Sequence, residues 1–240
     1  MESGSTQGTL YLVATPLGNL SDLSPRGVDV LSKADVLAAE DTRSARRLLA
    51  GLGVGLAGRE LVSYGDHNER DMAPRLVAKL QAGSDVAVLS EGGTPLISDP
   101  GYRLVDGAIE AGIDITPVPG PCAALTALSA SGLPVHGFIF RGFLPKKPGA
   151  RGRILESLRE REETLIFYES PQRLARLLAE FVEVFGPERS ACVARELTKV
   201  HETFWRGTLG ELAQRAKSEE QARRLKGEIT VLVSGVSKSG

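Results

Sequence analysis

Three segments of this 240-residue chain use residue types that let a backbone approach a bound molecule closely. The first is Thr15-Pro16-Leu17-Gly18-Asn19. The second, Ser90-Glu91-Gly92-Gly93-Thr94-Pro95, continues into Ser98-Asp99-Pro100-Gly101. The third is Val118-Pro119-Gly120-Pro121-Cys122-Ala123-Ala124. Adjacent glycines permit positive φ and remove the Cβ that would hold a ligand away. The third segment opens into a helix, whose free first-turn N–H groups suit a carboxylate. Nucleotide phosphate chemistry is not encoded. No GxxxxGK followed by Ser or Thr occurs, and the one GxGxxG, Gly53 to Gly58, follows a helix instead of a strand. It reads as a glycine-capped linker.

Something must position these loops. Thr9–Ala14, Val36–Ala39, Leu61–Tyr64, Val86–Ser90 and Ile113–Val118 are short apolar runs rich in β-formers. Between them lie helical stretches near 24–34, 44–50, 72–81 and 101–111. Strands that read as continuous apolar runs and alternate with helices predict a mostly parallel sheet with helices on both faces. Ligands of such sheets bind at the carboxyl ends of the strands. The three loops follow Ala14, Ser90 and Val118, so they share that edge. Their size and composition favour a flat, multi-part organic ligand over an ion.

Beyond the Pro119-Gly120-Pro121 turn the texture changes. Strands are expected at 138–143, 164–168, 191–194 and 228–233, with helices at 122–131, 151–161, 172–185 and 209–224. The chain thus reads as a tail over 1–8, an α/β domain over 9–120 and a second α/β domain with a mixed sheet over 121–236.

Charge separates the same halves. Residues 1–140 sum to −6 and residues 141–240 to +5. Arg141, Lys146, Lys147, Arg151 and Arg153 cluster without an acid between them, and Phe143 adds a stacking face. Proline and glycine keep this stretch open, as a loop that tracks a polyanion should be. The two cysteines, Cys122 and Cys192, suit a reducing cytoplasm. With only three histidines, no metal cluster is expected. The uncharged run Ile115–Phe140 is long enough to span a bilayer, but four prolines and three glycines break it up, so no membrane association is expected.

Taken in order, Ala14–Leu20, Ala39–Arg43, Asp66–Glu69, Gly93–Gly101, Pro119–Ala124, Gly142–Pro145, Phe167–Pro171 and Ala194–Lys199 resemble the ribosomal small subunit methyltransferase I family. These are 16S rRNA cytidine 2′-O-methyltransferases of the tetrapyrrole-methylase-like superfamily. The resemblance spans roughly Thr9 to Gly235. One departure stands in the second loop: Ser90-Glu91-Gly92-Gly93-Thr94-Pro95 replaces the family's usual Ser-Asp-Ala-Gly-Thr-Pro.

The resemblance implies a tetrapyrrole-methylase-like fold with a cofactor cleft between two α/β domains, and S-adenosyl-L-methionine as methyl donor. It implies a ribose hydroxyl of the decoding-centre cytidine as acceptor. Cofactor contacts are expected at Thr15, Pro16, Gly18, Asn19, Glu91, Gly92, Gly93, Thr94, Pro95, Pro119, Gly120, Cys122 and Ala123. A ribose hydroxyl is a weak nucleophile, so a general base helps. The candidates are Asp41, Glu169 and Glu196, with Lys199 tuning a neighbour. RNA contacts are expected at Arg141, Lys146, Lys147, Arg151 and Arg153, on 16S rRNA in the small ribosomal subunit. A homodimer is implied by the resemblance alone. Two other readings stay open: a small-molecule methylase acting on a tetrapyrrole, which needs no basic segment, and a non-catalytic ribosome assembly factor, which needs no intact donor loops.

Overall fold

The computed structural model describes residues 7–236. They form two compact units that divide between Cys122 and Ala123.

In the first unit, β1 (Leu10–Val13), β2 (Val36–Ala39), β3 (Glu60–Ser63), β4 (Val86–Leu89) and β5 (Ile115–Val118) form one parallel sheet, ordered β3-β2-β4-β1-β5. Helices α1 (Pro25–Lys33), α2 (Thr42–Gly51), α3 (Glu69–Gln81) and α4 (Tyr102–Glu110) cover it. Successive side chains of a strand point to opposite faces. Leu37, Ala87 and Leu89 pack on Leu31 of α1 and Leu49 of α2. Their neighbours Ala38, Val86 and Val88 pack on Leu76 and Leu80 of α3 and Leu104 of α4. Burial on both faces is why β2 and β4 read as unbroken apolar runs. Pro117 is tolerated because β5 lies at the sheet edge.

The expected tail over 1–8 needs revision at its end; residues 1–6 lie outside the described residues. Gly8 is buried, and its amide donates to the Leu80 carbonyl at 2.8 Å. A side chain there would collide with the Ser84 carbonyl, so the glycine lets the entering chain lie against the α3–β4 turn.

In the second unit, β6 (Phe138–Phe143), β7 (Thr164–Glu169), β8 (Ser190–Arg195), β9 (Thr203–Thr208) and β10 (Ile229–Val233) form a mixed sheet, ordered β6-β7-β10-β8-β9. Only β6 and β7 pair in parallel; the other pairs are antiparallel. Helices α6 (Pro148–Leu158), α7 (Pro171–Phe185) and α8 (Leu209–Gln221) share a core with Leu165, Phe167, Val193 and Val231. Helix α5 (Ala123–Ser131) packs on β7, β8 and β10.

β9 was not foreseen. Its Thr-Phe-Trp-Arg-Gly-Thr sequence is short and interrupted by glycine. It holds because Trp205 is buried, with the Arg195 and Arg215 guanidinium groups 5.0 and 4.3 Å from its ring centroid.

Candidate functional site

The three loops do leave the carboxyl ends of β1, β4 and β5, and they are tied together. Thr15 and Gly93 form an isolated antiparallel bridge, each amide donating to the other's carbonyl at 2.9 and 3.0 Å. The Thr15 hydroxyl lies 2.9 Å from the Ser90 hydroxyl, which donates to the Gly93 carbonyl at 2.5 Å. Thr94 Oγ1 donates to the Pro121 carbonyl at 3.0 Å, fastening the second loop to the third. Gly93 adopts φ +97°, a region that side chains disfavour. Leu96 and Ser98 also have positive φ, at 70° and 68°. Two non-glycine residues in that region, so close together, mark a loop held by its surroundings.

The Asp66–Glu69 segment holds the loop's far end. Glu69 Oε1 accepts from the Gly101 amide at 2.9 Å and from the Tyr64 hydroxyl at 3.1 Å. Burial and the Glu69 carboxylate push the Tyr64 phenol upward, keeping it a neutral donor.

A concavity of about 50 Å³ lies beneath the first two loops. Pro16, Ala39, Ala45 and Leu48 supply its apolar lining; Thr15, Ser44, Ser90, Glu40, Asp41 and Glu91 supply hydroxyls and carboxylates. Beside it, Asp99 lines a smaller recess with Glu40, Tyr64 and Ser90. Burial, reinforced by the charges of Glu40, Glu91 and Asp66, pushes the Asp99 carboxyl up to about 6. Burial and the same acidic surroundings raise Glu40 as well. Sequence reasoning passed over Ser90, Asp99 and Glu40. The Ser98-Asp99-Pro100-Gly101 loop was visible, but the crowding of acids around it is made by the loops after β2, β3 and β4 together.

The proposed proton acceptors are placed very differently. Asp41 caps α2: its Oδ1 accepts from the Arg43 amide at 2.8 Å, and that bond holds its carboxyl below the usual range. Glu196, in a turn at φ 52°, accepts from Lys199 Nζ at 2.8 Å and from the Glu228 amide at 3.0 Å. The Lys199 hydrogen bond is the main reason its carboxyl is lowered. Lys199 also reaches Glu228 at 3.0 Å. Glu169 is buried, with Oε1 accepting from the Ser170 amide at 2.7 Å and Oε2 3.3 Å from Arg173. Asp41 thus belongs to the concavity of the first unit, whereas Glu169 and the Glu196–Lys199 pair belong to separate clusters of the second.

Gly18, Asn19, Pro119 and Gly120 are exposed, and Pro16, Cys122 and Ala123 are partly so. Asn19 accepts from the Ser21 amide at 3.1 Å and so starts a short helical turn.

The basic stretch is not an open loop throughout. From Pro148 it is the first part of α6, because proline's fixed φ suits the first helical position. Arg151 also departs from its expected role. Its side chain is 3% exposed, forks onto Glu180 and donates to the Pro145 and Lys146 carbonyls, both at 3.0 Å. A buried, fully engaged guanidinium is a strap for the 144–147 turn, not a surface contact for RNA. Arg141, Lys146, Lys147 and Arg153 remain exposed.

Residues 9–213 match the family described as Tetrapyrrole (Corrin/Porphyrin) Methylases. The chain is 48% identical to a ribosomal RNA small subunit methyltransferase I of Xylella fastidiosa, over 97% of this chain and 84% of that one. It is 47% identical to the enzyme of the same name from Escherichia coli O157:H7, over 96% and 79%. The chain belongs to the ribosomal RNA small subunit methyltransferase I family. As a member, it is an S-adenosylmethionine-dependent methyltransferase. Its fold matches that of a Thermus thermophilus uroporphyrin-III-C-methyltransferase, with a TM-score of 0.65 at 25% identity over 95% of this chain and 94% of that one. It also matches the methyltransferase CobJ, with a TM-score of 0.70 at 21% identity over 97% of both chains. Among the described residues no helix is long and apolar enough to cross a membrane.

Proposed function

We propose that this enzyme methylates the ribose 2′-hydroxyl of the decoding-centre cytidine of 16S rRNA in the small ribosomal subunit. Identity of nearly half the residues over almost the whole chain, to relatives named for the small-subunit RNA, carries this reading. The exposed bases Arg141, Lys146, Lys147 and Arg153 support a polyanionic acceptor. A tetrapyrrole acceptor would give them no task, and a non-catalytic factor would give the tied loops none.

The lining of the first unit's concavity suits part of the donor. S-adenosylmethionine carries a sulfonium and an ammonium group, and the acids Glu40, Asp41 and Glu91 offset positive charge. Pro16, Ala39, Ala45 and Leu48 offer apolar contact, and the Thr15, Ser44 and Ser90 hydroxyls offer hydrogen bonds. We assign donor contacts to the loops at Thr15–Asn19, Glu91–Pro95 and Pro119–Ala123. The donor supplies an activated methyl group; the protein's task is to bind, orient and exclude water. Proton acceptance from the ribose hydroxyl falls to a carboxylate poised near working pH. Asp41 and Glu196 are held too acidic for it. Asp99 is the acid whose surroundings prepare it, and we assign it that role.

The family resemblance further suggests a homodimer working in the cytoplasm. Light scattering that returns one chain's mass at micromolar concentration removes the dimer. Mass mapping of 2′-O-methyl groups in rRNA from cells with and without this gene tests the activity itself. One cytidine of the small-subunit RNA should lose its methyl, and an unchanged map refutes the reading.

A further inference from the structure

The second unit holds a cavity of about 200 Å³ that neither the donor loops nor the base assignment uses. It is lined by Lys146, Arg151, Glu169, Arg173, Arg176 and Leu177. Glu180, paired with both Arg151 and Arg176, is the other charge beside it. Four cations therefore face two carboxylates, a surplus of two positive charges. The cations differ in what they are free to do. Arg151 is consumed by Glu180 and by the carbonyls of Pro145 and Lys146, and so fixes the backbone that carries Lys146. Arg173 NH2 is shared between the Leu144 carbonyl at 3.2 Å and buried Glu169 at 3.3 Å. Arg176 uses Nε on Glu180, and its side chain is 64% exposed. Lys146 forms no ion pair among the described residues.

Buried Arg151 and partly buried Arg173 are already paired with Glu180 and Glu169, whereas exposed Lys146 and Arg176 leave the cavity mouth with uncompensated positive charge that attracts an anion. An Arg fork with free N–H groups beside a lysine suits a tetrahedral oxyanion. The methyl donor contains no phosphate, so such an anion comes from the acceptor. We infer that this cavity is a subsite for one phosphodiester of the RNA backbone, gripped by Lys146 and Arg176, with Arg173 behind them held by Glu169. The inference rests on the RNA-acceptor reading above. It adds two residues of α7 to the RNA surface and makes Arg151 a positioning residue.

The test uses the full-length protein and small ribosomal subunits prepared from cells lacking this gene. Binding is followed across a salt series for wild type, Lys146→Gln, Arg176→Gln and the double variant, with Arg70→Gln/Arg75→Gln as a control of equal charge change on exposed α3 positions. Thermal melts confirm folding. Each single variant should weaken binding roughly five- to tenfold at physiological salt. Because the two cations share one phosphate, the double variant should flatten the slope of log K against log salt by only about 0.7–0.9. Lys146→Arg/Arg176→Lys should restore the slope, and the control should keep it. A wild-type slope in the double variant overturns the subsite. So does an equal loss in the control, or a double-variant loss twice as large, which means two separate phosphates. Methyl transfer by wild type to the same particles is measured in parallel. If wild type transfers none, the proposed function fails; if it transfers and the slope is unmoved, only the subsite fails.

Discussion

A side chain at Gly120 would place its Cβ 2.9 Å from the Cβ of Ala14 and 3.3 Å from the Ala14 carbonyl oxygen. The first and third loops thus leave β1 and β5 so close together that only a hydrogen fits between them. The glycine serves the protein's own packing as well as any ligand. Gly120→Ala should cost about 1–3 kcal/mol, the usual range for overpacking. Because the strain falls on the loops, S-adenosylmethionine affinity should drop too. Urea denaturation and calorimetry check both, and wild-type stability in the variant contradicts the contact.

Gly93 makes a different demand. At φ +97°, with Leu17 Cδ2 3.3 Å from where a Cβ would stand, any side chain is strained in backbone and contact alike. Gly93→Ala should destabilise by about 1–3 kcal/mol. Thr15→Val, which removes only the hydroxyl facing Ser90, should cost about 1 kcal/mol and leave the backbone bridge to Gly93 in place. A larger penalty for Thr15→Val than for Gly93→Ala reverses this ranking.

Asp99 sets a pH dependence. Its folded carboxyl, at about 6, lies above the ordinary value of 3.8, so the folded state binds more protons than the unfolded state between those values. Stability from this group is present at low pH and is lost as pH rises towards 6 and above. Catalysis runs the other way, because a base must be ionised. The methyl-transfer rate at saturating donor should rise with pH through about 6. Asp99→Asn should abolish that limb while raising the melting temperature at pH 8 more than at pH 4.5. A variant that keeps the limb removes Asp99 as the base.

Arg151 and Glu180 give the opposite sign. The Arg151 fork holds the Glu180 carboxyl below its usual value, so its contribution is full above about 4.5 and fades as pH falls through the lowered value. Arg151→Ala removes a buried cation and the tether on the Lys146 carbonyl, and should cost about 3 kcal/mol at neutral pH. Measured at pH 3, the penalty should shrink. A pH-independent loss assigns it to packing alone.

Much of this architecture was legible in the residue order. Val36–Ala39 and Val86–Leu89 announce buried parallel strands, because burial on both faces removes any need for polar alternation. The loops after Ala14, Ser90 and Val118 announce a site at one sheet edge, because chain direction fixes which ends of parallel strands coincide. Ser24-Pro25 announces α1 by cap and first-turn proline. The ordered motifs from Ala14 to Lys199 carried the family. Tertiary structure decided the rest, for physical reasons that act between distant residues. Arg151 lies in a basic run and looks like its neighbours; only Glu180, 29 positions away, makes it a buried strap. Asp99 looks like one turn residue among several. Its altered proton affinity exists because the folded chain buries it and brings Glu40, Asp66 and Glu91 near it from separate loops. Strand β9 exists because Arg195 and Arg215 close over Trp205. Local spacing encodes elements and loops, whereas charge environment and burial are sums over the folded neighbourhood, which no window of sequence contains.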